Sequence, residues 1–455
     1  MTRNALHDTL VEDEPSSDDS QRPRAWLIGI GSPEDNFASA GRVCQLDGFH
    51  SVRFGRDEAA EGISLTESGT TLRVGIPFGW VSGEHAELTL IDDARGPRFT
   101  LADLGSRNGT IVGNERIATP VRIRPGEVFE IGRSFWMIRE MGLRKLGGPR
   151  LSELDATGTA SPHLHHIHRT LHRLAKSSIP IVLRGETGTG KEFLARAIHR
   201  VSSRTGPLVV ANLGALSDTR LEQVLFGEPG RRGLFEEADG GTLFLDELAE
   251  LSGRVQAKLL VALTEGRAGR VGEENAPRSF DVRIVASTLH DLSRMVEDGR
   301  FRPDLYSRIA GFVAELPPLR SRREDMGLLV RAFVQDLQRE GRPTRITSNA
   351  FRRLLRGAWP FNVRQLRQTL STAALLASGD GTLTADALAE VLEQDDGLPE
   401  NPDEVRALRD ELVRQLSRAG GDSDRIARDM NRTPQQIQRW LERFALQPES
   451  FRSAV

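Results

Sequence analysis

The sequence predicts a multidomain chain: an all-β domain, an α/β domain with a helical annex, and a short all-α unit. Three observations predict it. Short alternating segments punctuated by Gly, Asp and Asn run from Trp26 to about Glu140. Compact apolar strands then alternate with helical patterns from about His163 to Leu329, the rhythm of a parallel sheet covered by helices. After that only helical periodicity remains. A length of 455 residues suits about three domains.

Each segment has its own signal. Residues 1–24 hold Asp8, Glu12, Asp13, Glu14, Asp18 and Asp19 among Pro and Ser, the composition of a disordered acidic tail. Residues 25–140 form the all-β domain, with alternation clearest in Ala86–Ile91, Phe99–Ala102 and Phe135–Arg139. Residues 141–162 are rich in Gly, Ser, Thr and Pro and predict a linker. Residues 163–324 carry the expected strands Ile181–Arg184, Leu208–Ala211, Thr242–Leu245 and Val282–Ala286. Residues 325–393 predict helices alone, 394–404 an acidic linker, and 405–447 the terminal helical unit.

Composition limits the function. A net charge of −3 excludes a chain that is basic overall, but not one with a local basic face. No apolar run reaches the roughly 20 residues of a membrane span, so no membrane partner and a cytoplasmic location are expected. The one cysteine, Cys44, excludes an intrachain disulfide and fits a reducing compartment.

The α/β domain carries the chemistry. Gly185, Glu186, Thr187, Gly188, Thr189, Gly190 and Lys191 follow an apolar strand and precede the helix Glu192–Val201. Glycines let backbone N–H groups face a polyphosphate, and the helix N-terminus adds a favourable dipole. Lys191 would reach the outer phosphates. Glu192 occupies the place where a hydroxyl residue usually contacts magnesium. A second apolar strand ends in Asp246 and Glu247. Asp246 would hold Mg2+, directly or through water, and Glu247 would polarise the water that attacks the γ-phosphate.

Taken in order, the segments GETGTGKE, PLVVANLGAL, GGTLFLDEL, QAKLLVALTEGRAGRVG, DVRIVAST, GRFRPDLYSRI, LPPLRSRREDM and WPFNVRQLR resemble the AAA+ domain of bacterial enhancer-binding proteins, the activators of sigma-54 RNA polymerase. The resemblance covers about residues 160–390. It implies a P-loop NTPase with a helical lid that binds ATP and Mg2+ in a hexameric or heptameric ring. It also implies roles. Asn212 resembles a switch residue acting on Glu247, Arg302 and Arg308 resemble arginine fingers reaching a neighbouring subunit's nucleotide, and Arg364 resembles a lid arginine that senses it.

Three positions depart from the pattern. The family carries a GAFTGA loop that contacts sigma-54; here only six residues separate Gly227 from Leu234 and none matches it. Leu289 replaces the asparagine after Ala286-Ser287-Thr288, and a leucine cannot hydrogen-bond phosphate or water. Slow hydrolysis is therefore expected. Phe361 stands where the family usually has glycine.

In the all-β domain, Phe54-Gly55-Arg56, Val81-Ser82-Gly83-Glu84-His85-Ala86 and Asp103-Leu104-Gly105-Ser106-Arg107-Asn108-Gly109-Thr110 resemble a forkhead-associated (FHA) domain. That family is a β-sandwich whose loops bind phosphothreonine peptides. It implies a phosphopeptide site of Arg56, Ser82, Ser106, Arg107 and Asn108, with His85 bracing the loops. The alternative is a sandwich used only for packing.

The terminal unit resembles a helix-turn-helix of the factor-for-inversion-stimulation type. Ile426, Ala427, Met430, Ile437 and Leu441 would pack its last two helices, with Thr433 as N-cap and Pro434 in the first turn. Gln435, Gln436, Gln438, Arg439 and Arg443 would face DNA, Gln and Arg being suited to adenine and guanine edges. The alternative is a small oligomerisation module.

The combined expectation is a transcriptional regulator of the sigma-54 activator type. Its expected partners are DNA, a phosphothreonine protein (a Ser/Thr kinase or its substrate) and further copies of itself. The missing loop argues against contact with sigma-54 RNA polymerase. It keeps open a second reading, an ATP-gated DNA-binding, antagonist or scaffold protein.

Overall fold

The structure is a computed structural model. It describes residues 24–448 apart from 60–61, 94–95, 114, 142–157, 215–216, 343, 378–380, 395–401, 431–433 and 445. The acidic segment before Arg24, and most of both expected linkers, lie outside the described residues. The chain divides into two compact units. One contains the chain up to Ser178 with Ala197–Ser203 and Glu324–Arg331; the other contains Ile179–Arg196, Arg204–Arg323 and Ala332–Val455.

The first unit is a β-sandwich. Its strands are β1 (Arg24–Gly31), β2 (Arg42–Gln45), β3 (Ser51–Arg56), β4 (Ser64–Ser68), β5 (Thr71–Ile76), β6 (Ala86–Asp93), β7 (Gly96–Asp103), β8 (Thr110–Val112), β9 (Glu115–Arg116), β10 (Val121–Ile123), β11 (Val128–Ile131) and β12 (Ser134–Met141). They form two six-stranded sheets, β2-β1-β12-β11-β8-β9 and β10-β7-β6-β3-β5-β4. The inward residues of both sheets share one core, in which Phe54 sits edge-on to Phe129 and Trp136 at 6.0 and 5.3 Å between ring centroids. Such pairs add to the stabilisation from burial alone. The 25 residues between Arg56 and Ser82 are accounted for by the inserted β4–β5 hairpin, whose second strand pairs parallel with β3.

Helix α1 (Pro162–Ala175) follows in the same unit. There the buried Glu324 accepts the Arg139 guanidinium at 2.6 Å. Asp325 accepts the N–H groups of Ala160 and Ser161 at 2.7 and 3.1 Å, satisfying donors that would otherwise be buried unpaired just before α1.

From Ile179 the elements are β13 (Ile181–Arg184), α2 (Lys191–Val201), β14 (Leu208–Asn212), α3 (Asp218–Phe226), α4 (Leu234–Glu237), β15 (Thr242–Asp246), α5 (Gly253–Glu265), β16 (Arg267–Arg270), β17 (Glu273–Ser279), β18 (Arg283–Thr288), α6 (Leu292–Glu297), α7 (Pro303–Ile309) and β19 (Phe312–Glu315). The sheet runs β14-β15-β18-β13-β19 with every ladder parallel. Parallel strands deliver all their carboxyl ends to one edge, where ligands of open α/β sheets bind. Here that edge collects Arg184, Asn212, Asp246 and Thr288.

The lid helices follow as α8 (Met326–Arg339), β20 (Arg345–Ile346), α9 (Ser348–Arg356), α10 (Asn362–Leu376), β21 (Thr382–Leu383) and α11 (Ala385–Gln394); then come α12 (Pro402–Ala419), α13 (Ser423–Asp429) and α14 (Pro434–Arg443). The expectation of helices alone in 325–393 is corrected by the short parallel β20–β21 pair. The sequence pattern also missed β19, which is only four residues long, and the β16–β17 hairpin, whose strands are too polar to show alternation. Val282 lies outside β18, and α12 begins at Pro402 rather than Val405.

Candidate nucleotide site and the loop and helix surfaces

The phosphate loop joins β13 to α2. Gly188 (φ +77°) and Gly190 (φ +105°) adopt backbone conformations that side chains resist. A Cβ at Gly188 would also lie 2.1 Å from the Phe361 carbonyl oxygen, so this position admits only glycine. Lys191 Nζ donates to the carbonyls of Gly185 and Glu186 at 2.7 and 3.0 Å. Burial pushes its pKa down to about 8, against the opposing pull of Asp246 and Glu247. A cation kept in a desolvated site beside two carboxylates suits a polyanion that would restore its charge.

Interposing β18 between β13 and β15 brings Asp246 and Glu247 to the same edge. Burial, then the neighbouring Asp246 and Glu250 charges, raise the Glu247 carboxyl above its ordinary value. Glu247 is left-handed at φ 62°, an uncommon and costly state for this residue type.

Several residues that shape this site were not singled out from the sequence. Ser287 is fully buried at the end of β18; its hydroxyl donates to Asp246 and accepts the Glu247 N–H at 3.3 Å. One hydroxyl therefore holds both carboxylate residues in place. The only signal was a polar residue in an otherwise apolar strand, which must find partners when buried. Arg320 clasps the Glu186 carboxylate with two bonds of 2.6 and 2.7 Å. Asn362, buried and left-handed at φ 52°, donates to Glu186 and to the Thr187 carbonyl and accepts the Leu319 N–H. Burial raises the Glu186 carboxyl, but these donors outweigh it and hold the group below its ordinary value. Arg322 adds a bond to the Thr189 carbonyl at 2.8 Å. The lid is thus hydrogen-bonded directly to the phosphate loop.

The expected site residues divide accordingly. Lys191, Asp246 and Glu247 come together, and Arg364 joins them: it lies beside Gly188 and its charge acts on Lys191. The Glu186 carboxylate faces Arg320 and Asn362, so its side chain ties the phosphate loop to the lid. The Glu192 carboxylate pairs with Arg196 at 2.6 Å in an exposed position on α2. Asn212 accepts the Gly214 N–H at 3.1 Å, and the Glu247 carboxylate overlies the same glycine. Arg302 pairs with Asp304 at 2.7 Å and Arg308 donates to the Leu263 carbonyl at 2.9 Å, both in exposed positions on and beside α7.

In the β-sandwich, Arg56 N–H donates to the Ser82 carbonyl at 2.9 Å and Arg107 N–H to Ser82 Oγ at 3.1 Å. These bonds gather Arg56, Ser82 and Arg107 at one end of the sandwich. Ser106 is buried, donates to Asp103 at 2.6 Å and accepts the Gly109 N–H. Its one O–H is therefore committed to Asp103. Asn108 spends its amide N–H on the Trp80 carbonyl at 2.7 Å. His85 is buried, accepting the Ser82 N–H on Nδ1 with Nε2 at 3.1 Å from the Gly109 carbonyl. That pattern requires the neutral ring, and burial lowers its pKa.

In the terminal helices, Ile426, Ala427, Ile437, Trp440 and Leu441 share a core with Leu412 and Leu416 of α12, and Met430 packs on it. Asp422 caps α13 by accepting the N–H groups of Asp424 and Arg425. Gln438 is exposed. The side chains of Gln435, Gln436, Arg439 and Arg443, and the whole of Thr433, lie outside the described residues.

A parallel sheet with a phosphate loop on one strand, an Asp-Glu pair two strands away and a helical lid bonded to the loop defines an ATP-binding AAA+ domain. Comparison with known proteins agrees. Residues 158–315 match the sigma-54 interaction domain, 320–404 the AAA+ ATPase lid domain and 52–132 the FHA domain. Among curated proteins, the Nif-specific regulatory protein of Azotobacter vinelandii is 40% identical over 296 residues, covering 61% of this chain and 56% of the relative. The DNA-binding transcriptional regulator NtrC of Klebsiella pneumoniae is 41% identical over 263 residues, 55% of each chain. The transcriptional regulatory protein ZraR of Klebsiella oxytoca is 36% identical over 325 residues, covering 63% of this chain and 71% of the relative. NtrX from Brucella abortus, solved in complex with ATP, superposes with a TM-score of 0.48 at 34% identity, covering 63% of this chain and 68% of that one. The chain belongs to the family of transcriptional regulators built on the sigma-54 interaction domain, and it carries an FHA domain ahead of it. It spans about half the length of the first two curated relatives.

Proposed function

We propose that this protein is a transcriptional regulator that binds ATP in an oligomeric ring, recognises a phosphothreonine partner and binds DNA, without engaging sigma-54 in the usual way. The carrying observation is the segment between α3 and α4. It closes as a tight turn: Glu228 and Arg231 form a β-bridge, Gly227 and Gly230 are left-handed, and the Gly227 carbonyl accepts the Val271 N–H at 2.9 Å. No GAFTGA segment stands in it to reach a polymerase. The decisive experiment is in vitro transcription from a sigma-54-dependent promoter with holoenzyme and ATP. No open complex is expected, and open-complex formation would overturn this reading.

ATP binding is supported by the Gly188–Gly190 cradle and the buried Lys191. The donor chemistry also fits Mg2+, since Asp246 offers a hard oxygen and this ion usually takes one or two carboxylates beside the phosphates. When bound, the ion would neutralise charge between the phosphates. Glu247 is the base that orients water. Arg364 supplies charge from the lid, and Arg302 and Arg308 are free of the phosphate loop in their own subunit, as fingers acting on a neighbour require. Leu289, exposed where a polar contact to phosphate or water is expected, makes hydrolysis slow. DNA reading falls to Gln435, Gln436, Gln438, Arg439 and Arg443 in the sequence of α14.

Phosphothreonine recognition rests on Arg56, Ser82 and Arg107, which the bonds above hold at one end of the sandwich; the Arg56 fork pairs with Glu58 at 3.2 Å and would exchange that partner for phosphate. Arg56→Ala should weaken binding of a phosphothreonine peptide by about 10-fold or more, the scale of one charge-assisted hydrogen bond. Ser106→Ala should instead lower the melting temperature, with less effect on affinity per folded molecule. Calorimetric titration alongside thermal melts of both variants checks this; equal loss of affinity in the two would contradict the division into contacts and braces.

A further inference from the structure

We infer that the lid carries a second DNA-binding surface, a belt of arginines leading into and along α9 that grips the phosphate backbone of duplex DNA. Residues 339–356 contain Arg339, Arg342, Arg345, Arg352, Arg353 and Arg356 against the single acid Glu340, a net of +5 in a chain of net −3. Asp336 pairs with Arg339 at 3.0 Å, and the other acids of the lid lie chiefly in the α11 segment. Charge is therefore segregated within the lid, and such segregation is the electrostatic footprint of a polyanion partner.

The helix geometry sets this charge away from the apolar face of α9. Ala350, Phe351, Leu354 and Leu355 of α9 are buried. At about 100° per residue, Arg352, Arg353 and Arg356 fall in one arc roughly opposite that apolar face. Arg356 is exposed, and Arg352 and Arg353 are half-buried, with Arg352 held by Asn349 and Arg353 Nε buried. Arg339 and Arg345 are exposed as well. Guanidinium forks match phosphate geometry, which makes an arginine belt better suited to a nucleic-acid backbone than to a surface merely needing solubility.

Position favours duplex DNA over other polyanions. The end of α14 touches the lid: the rings of Phe444 and Phe361 meet edge to face with centroids 6.0 Å apart. A ten-residue helix is only about 15 Å long. DNA read by α14 would therefore run close to the lid. This part of the argument rests on the proposed role of α14; the charge of the α9 belt does not.

The test is the salt dependence of binding to a short random-sequence duplex, using the full-length protein. Log affinity falls against log salt with a slope of about −0.9 per phosphate neutralised. Changing Arg352, Arg353 and Arg356 together to Gln should make the slope shallower by about 2–3 units. The triple Lys variant, which keeps charge but not the fork, should restore most of it, separating charge from packing. Arg439→Ala, which attacks the α14 reading alone, should leave the belt's share of the slope intact. A wild-type slope in the triple Gln variant overturns the inference, whatever Arg439→Ala does. So does a triple Gln variant whose oligomeric state changes while its DNA slope does not, since the belt would then face a second copy of the chain.

Discussion

Lys191→Met should cost this protein its nucleotide and make the nucleotide-free fold more stable. The aliphatic stem is kept, while the ammonium that would contact the outer phosphates is lost. Charge-assisted hydrogen bonds of this kind contribute about 1.5–3 kcal/mol, so ATP affinity should fall by about 10–100-fold. Stability should move the other way. Burial holds Lys191 at about 8, below its ordinary 10.5, so the folded state releases this proton more readily than the unfolded chain. Between those two values the unfolded state binds more protons, and stability rises with pH. At neutral pH the charged amine is a burden on the fold, as functional groups often are. Lys191→Met should therefore gain on the order of 1 kcal/mol near pH 7 and lose the rise in stability above pH 8. Urea titrations from pH 7 to 10, beside binding of a fluorescent ATP analogue, check both halves. Equal affinity in the two proteins, or a less stable variant with an unchanged pH profile, would count against this account of the site.

The residues legible from sequence were those whose chemistry is local. The Gly188–Lys191 loop and the Asp246-Glu247 pair announce themselves through spacing after apolar strands. Their convergence also followed, because parallel strands end on one edge. What stayed hidden were contacts that only the assembled fold creates. Ser287 looks like one more small residue in an apolar strand until β18 is seen lying between β13 and β15. Glu186 reads as part of a phosphate-binding motif, yet Arg320 and Asn362, more than 130 residues away, turn its carboxylate toward the lid. In the sandwich, Ser82 and Ser106 are equivalent hydroxyls on paper; burial and the Asp103 carboxylate make one a brace and leave the other near Arg56. The β16–β17 hairpin was missed because its strands are held by ladder hydrogen bonds and not by an apolar face. Phe361 had no reason in the sequence, and the ring of Phe444 now gives it a neighbour.

Glu247→Gln should separate binding from hydrolysis. The amide keeps the size and position of the side chain but cannot take a proton from water. Positioned general bases contribute about 10²–10⁴-fold, so turnover should drop by that factor while ATP affinity holds or improves. The starting turnover is itself expected to lie below the ordinary range of about 1–10³ s⁻¹, because Leu289 offers nothing to phosphate or water. The raised Glu247 carboxyl predicts the pH profile. Hydrolysis needs the ionised form, so the rate should fall on acidification through a value above the ordinary 4.5 of a glutamate, and this limb should vanish in Glu247→Gln. Ser287 refines the test. Ser287→Ala removes the hydroxyl that both fixes the Glu247 backbone and donates to Asp246, so turnover should fall by about 10-fold with ATP affinity changed much less, and Ser287→Thr should recover part of it. A steady-state phosphate-release assay on assembled protein, run from pH 5 to 8 with binding measured in parallel, decides the matter. If Glu247→Gln hydrolysed ATP at the parent rate, the water-activating base would have to be sought elsewhere on the sheet edge. If Ser287→Ala weakened ATP binding as much as turnover, Ser287 would be supporting the fold of the site and not the geometry of its carboxylates.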